Sequence, residues 1–239
     1  MPESGTSVGR EDAQLQPVFK RRWLLLVLLL PLFSYLLLTA VQSGRAYIDQ
    51  YRLNAMLDRW IEQSSPVPVD AWTEAESLAL TAAKRHGDDV DILNAAGRLY
   101  AYRSTRMAVT KEDRHLYARK AVQSYKAVTR LRPAWPYGWL NLALIKAHEG
   151  EMGAIFKHAL MQLVKRGPWE RNTLPVIVNL SLLAWPYLNQ DERIPLLNYL
   201  TEAQEKRSGD VRRAVTGSHQ LKLYCVIMTH AGAGASFCP

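Results

Sequence analysis

Hydrophobic and polar positions alternate in two different rhythms along this chain. From Trp23 to Val41 the run WLLLVLLLPLFSYLLLTAV carries no charge and holds ten leucines, whereas from Tyr47 onward apolar residues recur every three or four positions. About 20 apolar residues at 1.5 Å each cross a hydrocarbon core of roughly 30 Å, so the first rhythm predicts a membrane helix over 23–41, kinked at Pro31. The second, with its 3.6-residue period, predicts amphipathic helices. A cleaved signal peptide is the competing reading of the apolar run. Its hydrophobic region would be about 7 to 15 residues and would end in a small-x-small site. This run is longer, follows a polar tail over 1–22, and exits through Thr39-Ala40-Val41. Basic residues stay cytoplasmic. Arg10, Lys20, Arg21 and Arg22 precede the span, and the more dispersed Arg45, Arg52 and Arg59 follow it. The tail is therefore expected to be cytoplasmic and the body periplasmic, in a bacterial inner membrane. The next most apolar stretch, Leu174 to Leu188, is interrupted by Asn179 and Ser181 and bounded by Pro175 and Pro186, which predicts a buried helix of the body.

Beyond the span, Leu53, Leu57, Trp60 and Ile61 share one face of a helix over Tyr47–Gln63, and Ser64-Ser-Pro-Val-Pro-Val69 breaks it, making 42–69 a juxtamembrane helix and linker. Asp70 is a candidate N-cap for a helix whose Ala75, Ala79 and Ala82 permit close helix approach. Counting from Val90, Leu93, Gly97 and Tyr100 take the fourth, eighth and eleventh positions, and after an insert at Arg103–Thr110 come Ala121, Tyr125, Val128 and Pro133. This resembles the tetratricopeptide repeat, in which glycine and alanine sit where paired helices touch and proline stops the second helix. A second, more degenerate unit runs from Pro136 through Trp139, Leu142, Ala143, Gly150, Ala154, His158 and Met161 to Gly167-Pro168. A third pair is expected at Leu174–Ala184 and Glu192–Lys206, with Asn189 and Asp191 as turn and cap, and helices from Asp210 to about Met228 close the stack. The chain thus reads as all-α: a single N-terminal transmembrane helix followed by a tetratricopeptide-like α-solenoid over 70–229 and a flexible tail over 230–239.

Charge adds little direction. The formal net charge is +8, and +7 without Arg10, Lys20, Arg21, Arg22, Glu3, Glu11 and Asp12. That surplus permits contact with anionic lipid or glycan, but no nucleic-acid motif accompanies it, so nucleic acid is not an expected partner. Cys225 and Cys238 are the only cysteines, candidates for a disulfide in an oxidising compartment.

Candidate chemistry is sparse, and neither an enzyme nor a cofactor is expected. Gly5-Thr-Ser-Val-Gly9 matches G-x-S-x-G but lies in the polar tail, without the strand and helix that motif needs. Gly232-Ala-Gly234 begins like a dinucleotide fingerprint and ends without one. Asp88, Asp89 and Asp91 precede a helix, where aspartate caps, and His148 and His158 lack further metal ligands nearby. Trp135, Trp139, Trp169 and Trp185 lie beside prolines near helix ends, as packing anchors would. In a tetratricopeptide register the groove-facing positions are Asn94, Arg98, Tyr102, Tyr137 and His148, with the Arg98 fork suited to a carboxylate or peptide backbone.

Arg132-Pro-Ala-Trp-Pro-Tyr-Gly-Trp139, the turn Gly167-Pro-Trp-Glu170, and Trp185 followed by a charged helix resemble bacterial polysaccharide-biosynthesis accessory proteins of the VpsP type, over about residues 20 to 210. The resemblance implies a membrane-anchored scaffold in exopolysaccharide biosynthesis or export that binds other protein components of the machine. The alternative is a chaperone-like or assembly subunit of a secretion or pilus system.

Overall fold

A computed structural model describes residues 12–63 and 66–238, with side chains from residue 27 onward except Leu28. Every regular element in that range is helical. The first, α1, runs unbroken over Asp12–Gln63. It changes character along its length. Leu29, Leu30, Leu32, Phe33, Leu36, Leu37 and Leu38 are exposed on all sides, whereas Ala46, Leu53, Leu57 and Trp60 are buried against the body. Ile61, expected on the same face as Leu57, is instead exposed, because the buried stripe follows positions 53, 57 and 60 and Ile61 lies beside it. Among the described residues no helix is long and apolar enough to cross a membrane. Residues 23–26 and 28, within the expected span, lie outside the described side chains, as does the G-x-S-x-G stretch.

The second helix, α2, covers Val69–His86 and is capped by extended Pro68. Asp70 is therefore not the N-cap; it sits in the first turn, where its charge complements the helix dipole. Ala75, Ala79 and Ala82 are buried, as close helix contact demands. An ion pair from Arg85 to Asp49 ties the end of α2 to α1.

The third helix, α3, is Val90–Tyr102. Asp89 caps it, its Oδ1 accepting from the Asp91 and Ile92 amides, while its Oδ2 accepts a 2.7 Å hydrogen bond from the Tyr47 hydroxyl of α1. Burial pushes the Asp89 carboxyl up, but the Tyr47 hydroxyl and the two amides outweigh it and hold it below the usual aspartate range. A depressed carboxyl stabilises the fold above its unfolded value of about 3.9 and loses that contribution as pH falls through the folded value. Asp89→Asn is accordingly expected to flatten the acid limb of a stability-versus-pH curve below about pH 4, with melting temperature as the readout.

The expected insert at Arg103–Thr110 is mostly helix. Arg103–Met107 continues α3 as a π-helical turn, leaving only Ala108, Val109 and Thr110 as a link. Thr110 caps the fourth helix, α4 (Lys111–Leu131), accepting from the Asp113 amide. Next come α5 (Pro136–His148), with proline in its first turn, and α6 (Ala154–Arg166). At Gly97 a Cβ would lie 2.6 Å from the Tyr125 ring, which explains glycine where α3 and α4 touch.

Helix α7 is Leu174–Ala184, followed by a 3-10 turn at Trp185–Tyr187. Asn189 and Glu192 form a reciprocal capping box at the start of α8, Gln190–Gly217. The two helices expected over Glu192–Lys206 and from Asp210 are joined within α8 across a kink at Arg207. The last helix, α9, is Leu221–His230. The segment expected as a flexible tail is held instead: Cys225 and Cys238 are joined by a disulfide, Phe237 stacks on Tyr224 at 5.8 Å, and Gln204 donates to the Ala233 carbonyl.

Each helix packs on the next in chain order, most extensively α3 on α4, α1 on α2, α5 on α6 and α7 on α8. Short links make these pairs antiparallel hairpins. The first helices of successive pairs also touch, α1 on α3, α3 on α5 and α5 on α7, so they form one layer.

Candidate functional site

That layer holds all five residues expected to line a groove, three on α3 and two on α5, but neighbouring helices take up the three on α3. Arg98 donates from Nη1 to Asn54 Oδ1 at 2.9 Å and from Nη2 to Asp58 Oδ1 at 2.5 Å, both acceptors lying on α1. Tyr102 packs its ring 5.7 Å from that of Trp60, also on α1. Asn94 accepts at 3.0 Å from the Asn141 amide of α5. The stripe Asn94, Arg98, Tyr102 is therefore a seam between α1, α3 and α5. The sequence placed the three on one stripe and expected it to face a groove; the helix over Tyr47–Gln63, read as a juxtamembrane element before the repeats, lies against Arg98 and Tyr102 instead. Tyr137 begins α5 and points its hydroxyl at Glu170, 3.4 Å away, whereas His148 ends the same helix roughly 16 Å further along its axis. The five residues do not form one site.

Arg98→Ala should cost about 1 kcal/mol of stability, as a part-exposed ion pair and one neutral hydrogen bond are lost. The expected readout is a lower melting temperature of the full chain with partner binding unchanged.

An open cleft does lie in this layer, at the end that α1 leaves uncovered. It measures about 550 Å³ and is lined by Thr105 and Arg106 of the π-helical turn, Tyr125 of α4, and Asn141, Leu144, Ile145 and His148 of α5. Thr105, Arg106, Leu144 and His148 are exposed. Tyr125 forms a buried wall; burial pushes its hydroxyl far above the usual tyrosine value, against the opposing pull of Arg98, so it is a neutral group at any physiological pH. A guanidinium, an imidazole and an amide above an apolar floor suit a peptide carrying a carboxylate or backbone carbonyl, since Arg106 donates in a planar fork and has no carboxylate partner among the described residues. The sequence pointed to His148 but not to Arg106 or Thr105, because a π turn has no composition signal and that stretch read as a loop.

No protein-family model and no curated protein matches the chain.

The remaining candidates have structural partners. Asp89 caps α3, and Asp91 faces Arg132 at 3.6 Å. Among the described residues no group of three or more His, Cys, Asp or Glu side chains is placed to hold a metal. Trp139 donates to the Pro133 carbonyl at 2.8 Å and meets His158 edge-on at 5.4 Å. Trp169 packs on Tyr199 under Lys206, and Trp185 lies under Arg193. Trp135 lies under the Arg132 guanidinium and beside Tyr137. Trp139 thus joins α5 to α6, Trp169 ties the link after α6 to α8, and Trp135 and Trp185 pack at the turns that precede α5 and α8.

Proposed function

We propose that this protein is a membrane-tethered adaptor whose body is a tetratricopeptide-like solenoid, facing the periplasm and binding a protein component of an exopolysaccharide synthesis or export machine. The observation that carries this reading is α1. One helix carries the apolar run, exposes leucines on all sides from Leu29 through Leu38, and then buries Leu53, Leu57 and Trp60 as the first member of the first hairpin. A helix apolar all round calls for cover by a core or a bilayer, and no other described element covers Leu29–Leu38. Continuity makes the tether and the first repeat one rigid object, so a partner held by the stack is held at a set height and orientation above the membrane.

Two further features support the assignment. The Cys225–Cys238 disulfide suits an oxidising compartment on the outer side. The hairpin order, the contact between first helices, and Gly97 against Tyr125 match the physical logic of the repeat. The polysaccharide machine rests on the resemblance around Trp135–Trp139 and Gly167–Glu170, and the groove-lining role passes from Arg98 to Arg106.

The test is a photo-crosslinking residue at Leu144, on the rim of the cleft, in the full chain in its native membrane. Capture of a polysaccharide polymerase, chain-length or export component, lost with Arg106→Glu, is the expected result. Capture of translocase or pilus subunits would replace this reading with that of a secretion helper.

A further inference from the structure

A second recess lies on the other layer of the stack, between α4 and α6, with α5 as its floor. Its volume is about 510 Å³; Ile155, 36% exposed, is its open apolar side chain, and the nearly covered Trp139 and Leu142 form the floor. Through Gln123 and Lys126 it continues into a neighbouring cleft of about 480 Å³. One wall is cationic. Arg119, Lys126 and Arg130 are exposed on one face of α4, seven and four residues apart, which spaces them by roughly 10 and 6 Å along the axis. Nearby lysines are neutralised: Lys120 by Glu76, Lys146 by Glu151 and Lys157 by Glu192. Arg119, Lys126 and Arg130 have no carboxylate partner among the described residues. Burial, and then the like charge of Lys126, lower the Lys146 ammonium against the opposing pull of Glu149. The two carboxylates that line the neighbouring cleft, Glu149 and Glu151, face His115 and Lys146.

We propose that this trough docks an acidic amphipathic helix of a partner protein. Apolar side chains at i, i+4 and i+7 of such a helix reach the floor while its carboxylates meet Arg119, Lys126 and Arg130. The floor is recessed, with Trp139 8% and Leu142 3% exposed, whereas a flat bilayer engages protruding groups. The Trp139 ring is covered and turned edge-on to His158, so it offers no open face for a sugar to stack on. A second copy of this chain, at +8, brings the wrong sign. The trough is separate from the Arg106 cleft, so an adaptor with both holds two partners on opposite layers of one stack.

The experiment uses the full chain in neutral phosphatidylcholine nanodiscs. Its probes are an 18-residue helical peptide with leucines at i, i+4 and i+7 flanked by glutamates, the same peptide with lysines for glutamates, and phosphatidylglycerol vesicles. Binding of the glutamate peptide by fluorescence anisotropy, weakened about tenfold by Lys126→Gln with Arg130→Gln and also by Ile155→Asp, and absent for the lysine peptide, is expected. These positions are exposed, so unchanged thermal melts of the variants check the fold. No binding of the glutamate peptide, or binding that survives both variants, overturns the proposal. So does binding abolished by Arg106→Ala alone, which would move the peptide to the other cleft. Vesicle binding with the same variant dependence would assign the cations to lipid, and self-association lost in these variants would assign the trough to a second copy.

Discussion

Leu57→Ala is expected to destabilise the body by about 2–5 kcal/mol, although Leu57 lies on the helix that leads out of the apolar run. Leu57 is fully buried, between Leu53 and Trp60 in the same core as Trp72, Leu99 and Tyr100. Removing three carbons leaves a cavity that surrounding helices refill only in part, and both the lost transfer energy and the cavity weaken the fold. A denaturant series on the full chain, followed by circular dichroism, reads the change. Leu80→Ala, at a position 58% exposed on α2, serves as the control and should stay within about 0.5 kcal/mol. If Leu57→Ala behaved like the control, α1 would not be a structural member of the stack.

The second large effect belongs to the other half of the same helix. Leu36→Arg together with Leu37→Arg should release the protein from membranes. At the centre of a span each arginine is unfavourable by about 2.5–3.5 kcal/mol where each leucine is favourable by about 0.3–0.6; Leu36 and Leu37 lie four and five residues past the centre of 23–41, so the pair shifts insertion by less than the roughly 6–8 kcal/mol of two central sites, by several kcal/mol. Both leucines are 54% exposed and touch no part of the core, so the body keeps its fold while its tether fails. Carbonate-washed membranes should retain the unsubstituted chain and lose the double variant. Retention of both would reject 23–41 as the anchor.

Periodicity made the helices legible because burial selects the residues that carry it. Leu53, Leu57, Ala75, Ala79, Gly97, Tyr125 and Trp139 were all readable as contact positions, and glycine at 97 could be justified from a repeat pattern before the Tyr125 ring was seen against it. Caps were less secure. Asp191, expected as a cap, lies in the first turn of α8 behind Asn189, which makes the capping box with Glu192, and Asp70 likewise lies behind Pro68, which ends the extended linker and starts α2 two residues early.

The site was harder to read for a tertiary reason. Asn94, Arg98 and Tyr102 do form one stripe, but a stripe of polar residues on a repeat reads the same whether it faces solvent or a neighbouring helix. Only the fold brings Asn54, Asp58 and Trp60 onto it. Likewise, Arg106 enters the open cleft only because a π turn extends α3 past Tyr102. The Gly-Ala-rich C-terminal segment looked loose from composition alone, and the disulfide with the Tyr224–Phe237 stack holds it.

The central claim is that one helix joins a membrane anchor to a binding domain on the outer side. Single cysteines at Ser7→Cys in the tail and Ser77→Cys on α2 test it directly, since the native Cys225 and Cys238 are bonded to each other and do not react. Intact cells treated with a membrane-impermeant maleimide should label Ser77→Cys at once and Ser7→Cys only after permeabilisation. Labelling of Ser7→Cys in intact cells, with Ser77→Cys protected, would place the body in the cytoplasm and contradict the account.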